Sequence, residues 1–311
     1  MKQFNLTFLL TVLMSMVSVK ASAHDIEAKN ADGVTIYYSY INNNTELAVT
    51  YRGNRIDDYS NEYSGNVAIP ESVIYNDNTY SVTSIEDYAF YKCGGLTLVT
   101  IPGSVTSIGK SAFYNCSSLT EVTMSNNVTA IGESAFCNCS SLTEVTMSNN
   151  VMALGYWVFA GCSSLTVMPI GNSVKSIGNY AFKGCSSLVK ATIPNSVWFI
   201  EDYAFDGCSG LTEVTIGDSV RSIGYSVFSN CSSLEKIFVN NSNLVYDSRE
   251  DCNAIIQTVE NKLIAGCKNT CIPNTVTAIE SRAFCGCSGL TEVIIPSSIT
   301  DIGHGVFAGC I

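Results

Sequence analysis

Hydrophobic and polar positions repeat along this chain with a period of 23 residues. The plainest mark is a phenylalanine preceded by Ala or Val. Phe90, Phe113, Phe136, Phe159, Phe182, Phe205 and Phe228 stand 23 apart, and after a gap of 56 Phe284 and Phe307 resume the spacing. A fixed period in the twenties marks a solenoid, because one unit cannot bury its apolar side alone and is covered by the next. The module is clearest from Leu96 to Ser118, LTLVTIPGSVTSIGKSAFYNCSS, with Leu96, Val99, Ile101, Val105, Ile108, Ala112, Phe113 and Cys116 as its apolar positions. Leu-x-x-Val-x-Ile ends in the alternation of a short strand. Pro102-Gly103-Ser104 turns the chain, since proline presets φ and glycine tolerates positive φ. Residues 105–108 are a second extended piece, and 109–116 a turn or single helical turn carrying Ala-Phe. The glycine at 109 is Glu86, Glu201 and Glu280 in other coils, so a left-handed backbone there is a preference and not a requirement.

The pattern L-x-x-V-x-I-P-x-S-V-T-S-I-G-x-x-A-F-x-x-C, carried from about Ile69 to Cys310, resembles that of BspA-like, treponemal-type leucine-rich repeats of bacterial surface antigens. The resemblance implies a leucine-rich repeat solenoid, mainly β, of short strands with turns or single helical turns. Members of that family are typically secreted or surface-attached and are associated with adhesion and host-protein binding. The implied function is therefore non-catalytic binding of another macromolecule, a protein of a host or its extracellular matrix.

Taken in order, the chain opens with an apolar run from Leu6 to Val19 followed by Ala21-Ser22-Ala23. A short apolar segment ending in A-x-A reads as a secretory signal, residues 1–23, cleaved after Ala23. The run is shorter than the roughly 20 residues a membrane span needs, so no integral membrane segment is expected in the mature chain. Residues 24–66 do not match the repeat. Alternating pieces at 34–38 and 47–51, joined by Asn42-Asn43-Asn44, predict an N-terminal β-hairpin cap over the first coil. Residues 67–311 form the solenoid. The long interval between Cys231 and Cys287 predicts a hairpin insertion near 240–268, where Ile255-Ile256 and Leu263-Ile264 flank Glu260-Asn261. Cys310-Ile311 falls partway through a repeat with no polar closing segment. Either the sequence is part of a longer product, or this end packs on something.

Composition narrows the partners. Lys and Arg number 16 against 27 Asp and Glu, a formal charge of −11. An acidic surface disfavours nucleic acid and anionic membrane as partners. For catalysis, the chain holds two histidines, His24 and His304, and no Ser/His/Asp or Cys/His constellation can be assembled around either. No phosphate-binding or dinucleotide motif is present, and no cofactor is expected. Asp247-Ser248-Arg249-Glu250-Asp251 lacks the glycine and closing glutamate of a calcium loop. Nine of the 14 cysteines follow the phenylalanine ladder, from Cys93 to Cys310; small, apolar thiols there read as packing residues. Cys137-Asn138-Cys139 and Cys285-Gly286-Cys287 lie too far apart to give zinc four ligands. Cys252 and Cys267, flanking the insertion, are the candidates for a disulfide.

Two surfaces stand out for binding. The outward positions of the first strand stack as Leu98/Thr100, Glu121/Thr123, Glu144/Thr146, Val167/Pro169, Lys190/Thr192, Glu213/Thr215, Lys236/Phe238 and Glu292/Ile294. At roughly 4.8 Å per strand these predict a sheet of about 40 Å, of the kind solenoids use to hold partners. A second stripe, Trp157, Tyr180 and Tyr203, occupies one position in three consecutive coils, and Trp198-Phe199 adds exposed aromatics where other coils carry Thr-Ser or Thr-Ala. Two other functions stay open: a structural spacer within a larger surface protein, or a carbohydrate-binding module built on the aromatic stripe. Oligomeric state is not readable from these patterns.

Overall fold

The computed structural model of this protein describes residues 24–53 and 62–310. The expected secretory segment lies outside the described residues. Three antiparallel strands come first: β1 (Ile26–Lys29), β2 (Thr35–Ile41) and β3 (Glu46–Thr50). Asn42, Asn43 and Asn44 turn β2 into β3 with φ of 49°, 57° and 64°, a left-handed run that asparagine tolerates better than most residues. β1 is absent from the sequence pattern, because Ile-Glu-Ala-Lys carries one large apolar side chain only. β3 then runs parallel to Asn78–Ile85, setting Leu47 against Val82 and Val49 against Ile85. The first repeat strand is Ser64–Ala68, paired with Gly95–Ile101, so a boundary drawn between residues 66 and 67 cuts through it. Beside it Tyr63 is buried and packs on Phe90 with ring centroids 4.6 Å apart.

Each regular coil carries two short strands that pair in parallel with those of the next coil, one period along: Val99 beside Val122 beside Val145, and Ile108 beside Ile131. All eight apolar positions of the 96–116 unit are buried. Because the coils stack in register, like lies on like. Phe113 and Phe136 stack at 5.1 Å and 3°, and Phe182 and Phe205 at 5.3 Å and 11°.

The 109–116 segment is not helical; the described residues hold a single 3-10 turn, Arg249–Asp251. Alternate amides bond to the following coil, with Ser111 N–H donating to Glu133 O at 2.8 Å and Phe113 N–H to Ala135 O at 2.7 Å, while Tyr114 N–H closes a local turn on Ser111 O at 3.1 Å. The left-handed backbone expected at Gly109 is found two and six residues later, at Ser111 (φ 52°) and Asn115 (φ 60°), and at their equivalents in other coils. Gly109 is small for a different reason: a Cβ there collides with the Asp87 backbone of the preceding coil. Close approach of coils, not φ, demands the glycine.

Two irregularities divide the stack. The first-strand sheet does not run the whole length. It breaks into four strands ending at Glu144–Thr146 and three beginning at Lys190–Thr192. Between them Pro169 occupies a strand-interior position; it has no N–H to give the ladder. The pair Glu292/Ile294 also lies outside any strand. The expected sheet of about 40 Å is therefore two shorter ones. The second irregularity is the interval after Cys231. Ala254–Gln257 and Lys262–Gly266 form an antiparallel hairpin, and the latter strand passes in parallel to Ala278–Ile279. On the phenylalanine side, Asn230 N–H donates directly to Cys285 O at 2.9 Å, so the intervening chain adds no turn of its own there. The core divides at the same place, with Phe284 and Val306 in a second cluster.

Cysteine sulfurs form a third ladder. Cys116, Cys139, Cys162, Cys185, Cys208 and Cys231 each donate from Sγ to the carbonyl of the phenylalanine 26 residues earlier, at 3.0–3.3 Å. Each of these carbonyls already accepts the amide of the cysteine three residues on, as Phe90 O does from Cys93 N–H at 3.1 Å, so the thiol takes the second lone pair and gives the buried S–H a partner. Burial pushes the Cys208 and Cys287 thiols up to about 12, so they stay protonated and unreactive at neutral pH. Cys252 and Cys267 are not joined. Cys252 Sγ faces Ala254 O at 3.8 Å, while Cys267 Sγ donates to Glu235 O at 3.1 Å. A disulfide reagent is expected to titrate Cys271, exposed in the fold, at once and the ladder only on unfolding. Denaturation without reductant should then release nine or more thiols, the number in the ladder; recovery of four or fewer means that the ladder is a disulfide staple.

Candidate binding surface of the central coils

The strand-face candidates lie where alternation puts them. Glu121 and Thr123 sit beside Glu144 and Thr146; Lys190, Glu213 and Lys236 stand in one row, and Thr192, Thr215 and Phe238 in the next. Glu144, Thr146, Lys190, Thr192, Lys236 and Phe238 are exposed, the others half-buried. Much of the charge is spent within the row. Lys190 Nζ pairs with Glu213 at 3.0 Å, and Thr123 donates to Glu121 at 3.1 Å. The break at Pro169 separates the acidic pair from the lysine rows.

A different face concentrates what is unspent. At the start of the second strand most coils carry threonine, whose hydroxyl donates to the coil before: Thr106 to Thr83 O and Thr129 to Thr106 O, both at 3.2 Å. Four consecutive coils replace it with Met152, Lys175, Trp198 and Arg221, still joined by backbone bonds of 2.7–2.8 Å. These coils forgo the hydroxyl bond and place large side chains in solvent. Lys175 Nζ and Arg221 Cζ each lie 5.2 Å from the Trp198 ring, a cation–π sandwich. Neither cation has a carboxylate within ion-pair distance among the described residues. Met152 is 60% exposed and Phe199, next to Trp198, 45%. Trp198-Phe199 stands out in the sequence by its rings, while the cations beside it show only in the period, which places 175, 198 and 221 in one row.

The aromatic stripe lies nearby in each coil, just past the second strand. Trp157 stacks on Tyr180 at 4.5 Å, Tyr180 on Tyr203 at 5.0 Å, and Tyr203 meets Tyr225 edge-on at 5.7 Å. The rings are thus largely one another's partners. All three stripe residues take the left-handed backbone, with φ of 57–59°, a conformation that is costly for bulky residues. Lys183 Nζ stands 5.2 Å from the Tyr180 ring and pairs with Asp206 at 3.0 Å. Among the described residues no group of three or more His, Cys, Asp or Glu is placed to hold a metal ion. No helix there is long and apolar enough to cross a membrane.

Comparison with known proteins agrees with this geometry. The family model for BspA type leucine rich repeat regions matches residues 66–189, 153–259 and 257–311. Among solved structures, a leucine rich cell surface protein from Faecalibacterium prausnitzii superposes with a TM-score of 0.72 at 30% identity, over 92% of this chain and 75% of that one. The leucine rich repeat protein of T. pallidum gives 0.56 at 26% identity, over 67% of this chain and 91% of its own. No curated protein matches. With the repeat matched over most of its length and its coils stacked as in these relatives, the chain belongs to the BspA-type leucine-rich repeat family.

Proposed function

We propose that this chain is a secreted or cell-surface repeat protein that binds another protein without catalysis, and that the partner docks on the central coils. The observation that carries this reading is the Lys175–Trp198–Arg221 row. In a chain of net charge −11, two cations without acid partners among the described residues bracket an indole, with exposed Met152 and Phe199 on the same coils' surface. Tryptophan and arginine are the residues most often found to dominate binding energy at protein interfaces. Unpaired cations beside apolar surface suit an acidic segment carrying apolar side chains. The strand face supports the reading less, since Lys190 and Glu213 neutralise each other. Placement outside the cell is supported by the secretory pattern of the first 23 residues and by the description of the Faecalibacterium prausnitzii relative as a cell surface protein.

The test is a binding screen against purified extracellular matrix and serum proteins. For any protein captured, Trp198→Ala is expected to weaken binding roughly 30-fold, about 2 kcal/mol. Lys175→Glu with Arg221→Glu should slow association and remove its salt dependence. A captured protein indifferent to all three changes places the interface elsewhere, with the strand-face Glu121 and Glu144 next to be reversed to lysine. Capture of none of them refutes the reading.

A further inference from the structure

The aromatic stripe has one open end. Tyr180 has rings on both sides and Tyr203 is closed by Tyr225, but among the described residues Trp157 has a ring partner on the Tyr180 side only. The coil before it carries Ser134 where Trp157, Tyr180 and Tyr203 stand in the next three coils. Trp157 lines a groove of about 460 Å³ together with Tyr114, Glu133, Ser134, Asn138 and Lys183, whose Nζ stands 5.9 Å from the Trp157 ring centroid. That volume falls in the range of roughly 300–1,000 Å³ typical of small-molecule sites. Gly161 lies beneath the Asn138 amide, and a Cβ there collides with the amide oxygen; a side chain at 161 would displace the groove's main polar group.

The chemistry of the lining specifies the ligand. Both charges in the groove are already neutralised: Lys183 pairs with Asp206 and Glu133 with Lys110, each at 3.0 Å. An ionic ligand gains little there, in contrast to the Lys175–Arg221 row. What remains is an indole wall and neutral or internally paired hydrogen-bonding groups. Asn138 Nδ2 donates to Tyr114 Oη over a long 3.4 Å, leaving the amide carbonyl and its second N–H for another partner. Spare Lys183 hydrogens and Glu133 lone pairs point to hydroxyls that both donate and accept. An apolar face against indole with hydroxyls around its rim describes a pyranose ring.

We propose that this groove binds a neutral pyranose unit of a glycan, with Trp157 as the stacking platform and Asn138, Tyr114, Glu133 and Lys183 as hydroxyl partners. This site is separate from the protein-docking row and stands or falls independently of it. Within the stripe Tyr180 and Tyr203 have ring neighbours on both sides, so the proposal rests on Trp157.

The two tryptophans of the chain are Trp157 and Trp198, so in Trp198→Phe the emission reports Trp157 alone. This variant is titrated with methyl β-glucopyranoside, methyl β-galactopyranoside, methyl α-mannopyranoside, N-acetylglucosamine and their β-linked oligosaccharides, with galacturonic acid as the charged control. A saturable emission change with at least one neutral probe is expected. Ser134→Tyr, in the same background, extends the ring stack over Trp157 at a backbone position where Tyr88, Tyr180 and Tyr203 already take positive φ. It should weaken that response at least about tenfold while the protein melts as before. The glutamate substitutions at Lys175 and Arg221 should leave it unchanged. No saturable response to any neutral probe, a response to galacturonic acid alone, or an undiminished one in Ser134→Tyr each overturns the proposal.

Discussion

Phe182→Ala should destabilise the protein by about 3–5 kcal/mol, at the upper end for a core truncation. The ring is fully buried and stacks on Phe159 at 5.6 Å and Phe205 at 5.3 Å. Its loss therefore removes contacts from three coils and leaves a cavity that rigid stacking cannot close. Because a solenoid is held by nearest-neighbour interfaces, the damage should also be directional. Chemical denaturation should split into two transitions, one for the coils on each side of the cavity. Phe307→Ala is the control, since that ring is 37% exposed and, among the described residues, stacks on Phe284 alone; a cost well below that of Phe182→Ala is expected. Equal midpoints for the two variants in guanidinium titration refute the account.

Removal of residues 24–63 should make the chain aggregate. The deletion takes away β3, which pairs with residues 81–85 of the next strand, and Tyr63, which covers Phe90. What is left is an unpaired strand edge beside a bare aromatic core, the arrangement that templates edge-to-edge association. Polar end caps are what keep repeat arrays soluble. Light scattering after size exclusion reads the outcome directly. A monomeric product with an unchanged melting temperature shows that these residues are not a cap.

The burial of the repeat was legible because in-register stacking puts each residue type on itself, and apolar columns such as Phe113 on Phe136 leave a strict period in the chain. Pairing along the stack was legible in principle too. Lys110 meets Glu133, Lys183 meets Asp206 and Lys190 meets Glu213, all one period apart, whereas Lys175 is followed by Trp198. Pro169 marks the break in the first sheet, but the apolar pattern around it continues the repeat and masks that signal. A left-handed backbone is only a preference at the Gly109 position, and the structure puts that conformation at Ser111 and at Trp157, Tyr180 and Tyr203, residue types that do not advertise it.

The sequence by itself determined the period, the eight buried positions of a coil and the membership of one continuous stack, since these follow from side-chain polarity repeated at a fixed spacing. Tertiary structure decided which exposed groups remain unspent. Asn230 bonds across the insertion to Cys285, Tyr180 loses both ring faces to its neighbours, and Trp157 keeps one only because Ser134 precedes it. Whether an aromatic face or a cation is free depends on what the adjacent coil sets against it, and that is fixed by stacking in space, not by the residue's own type.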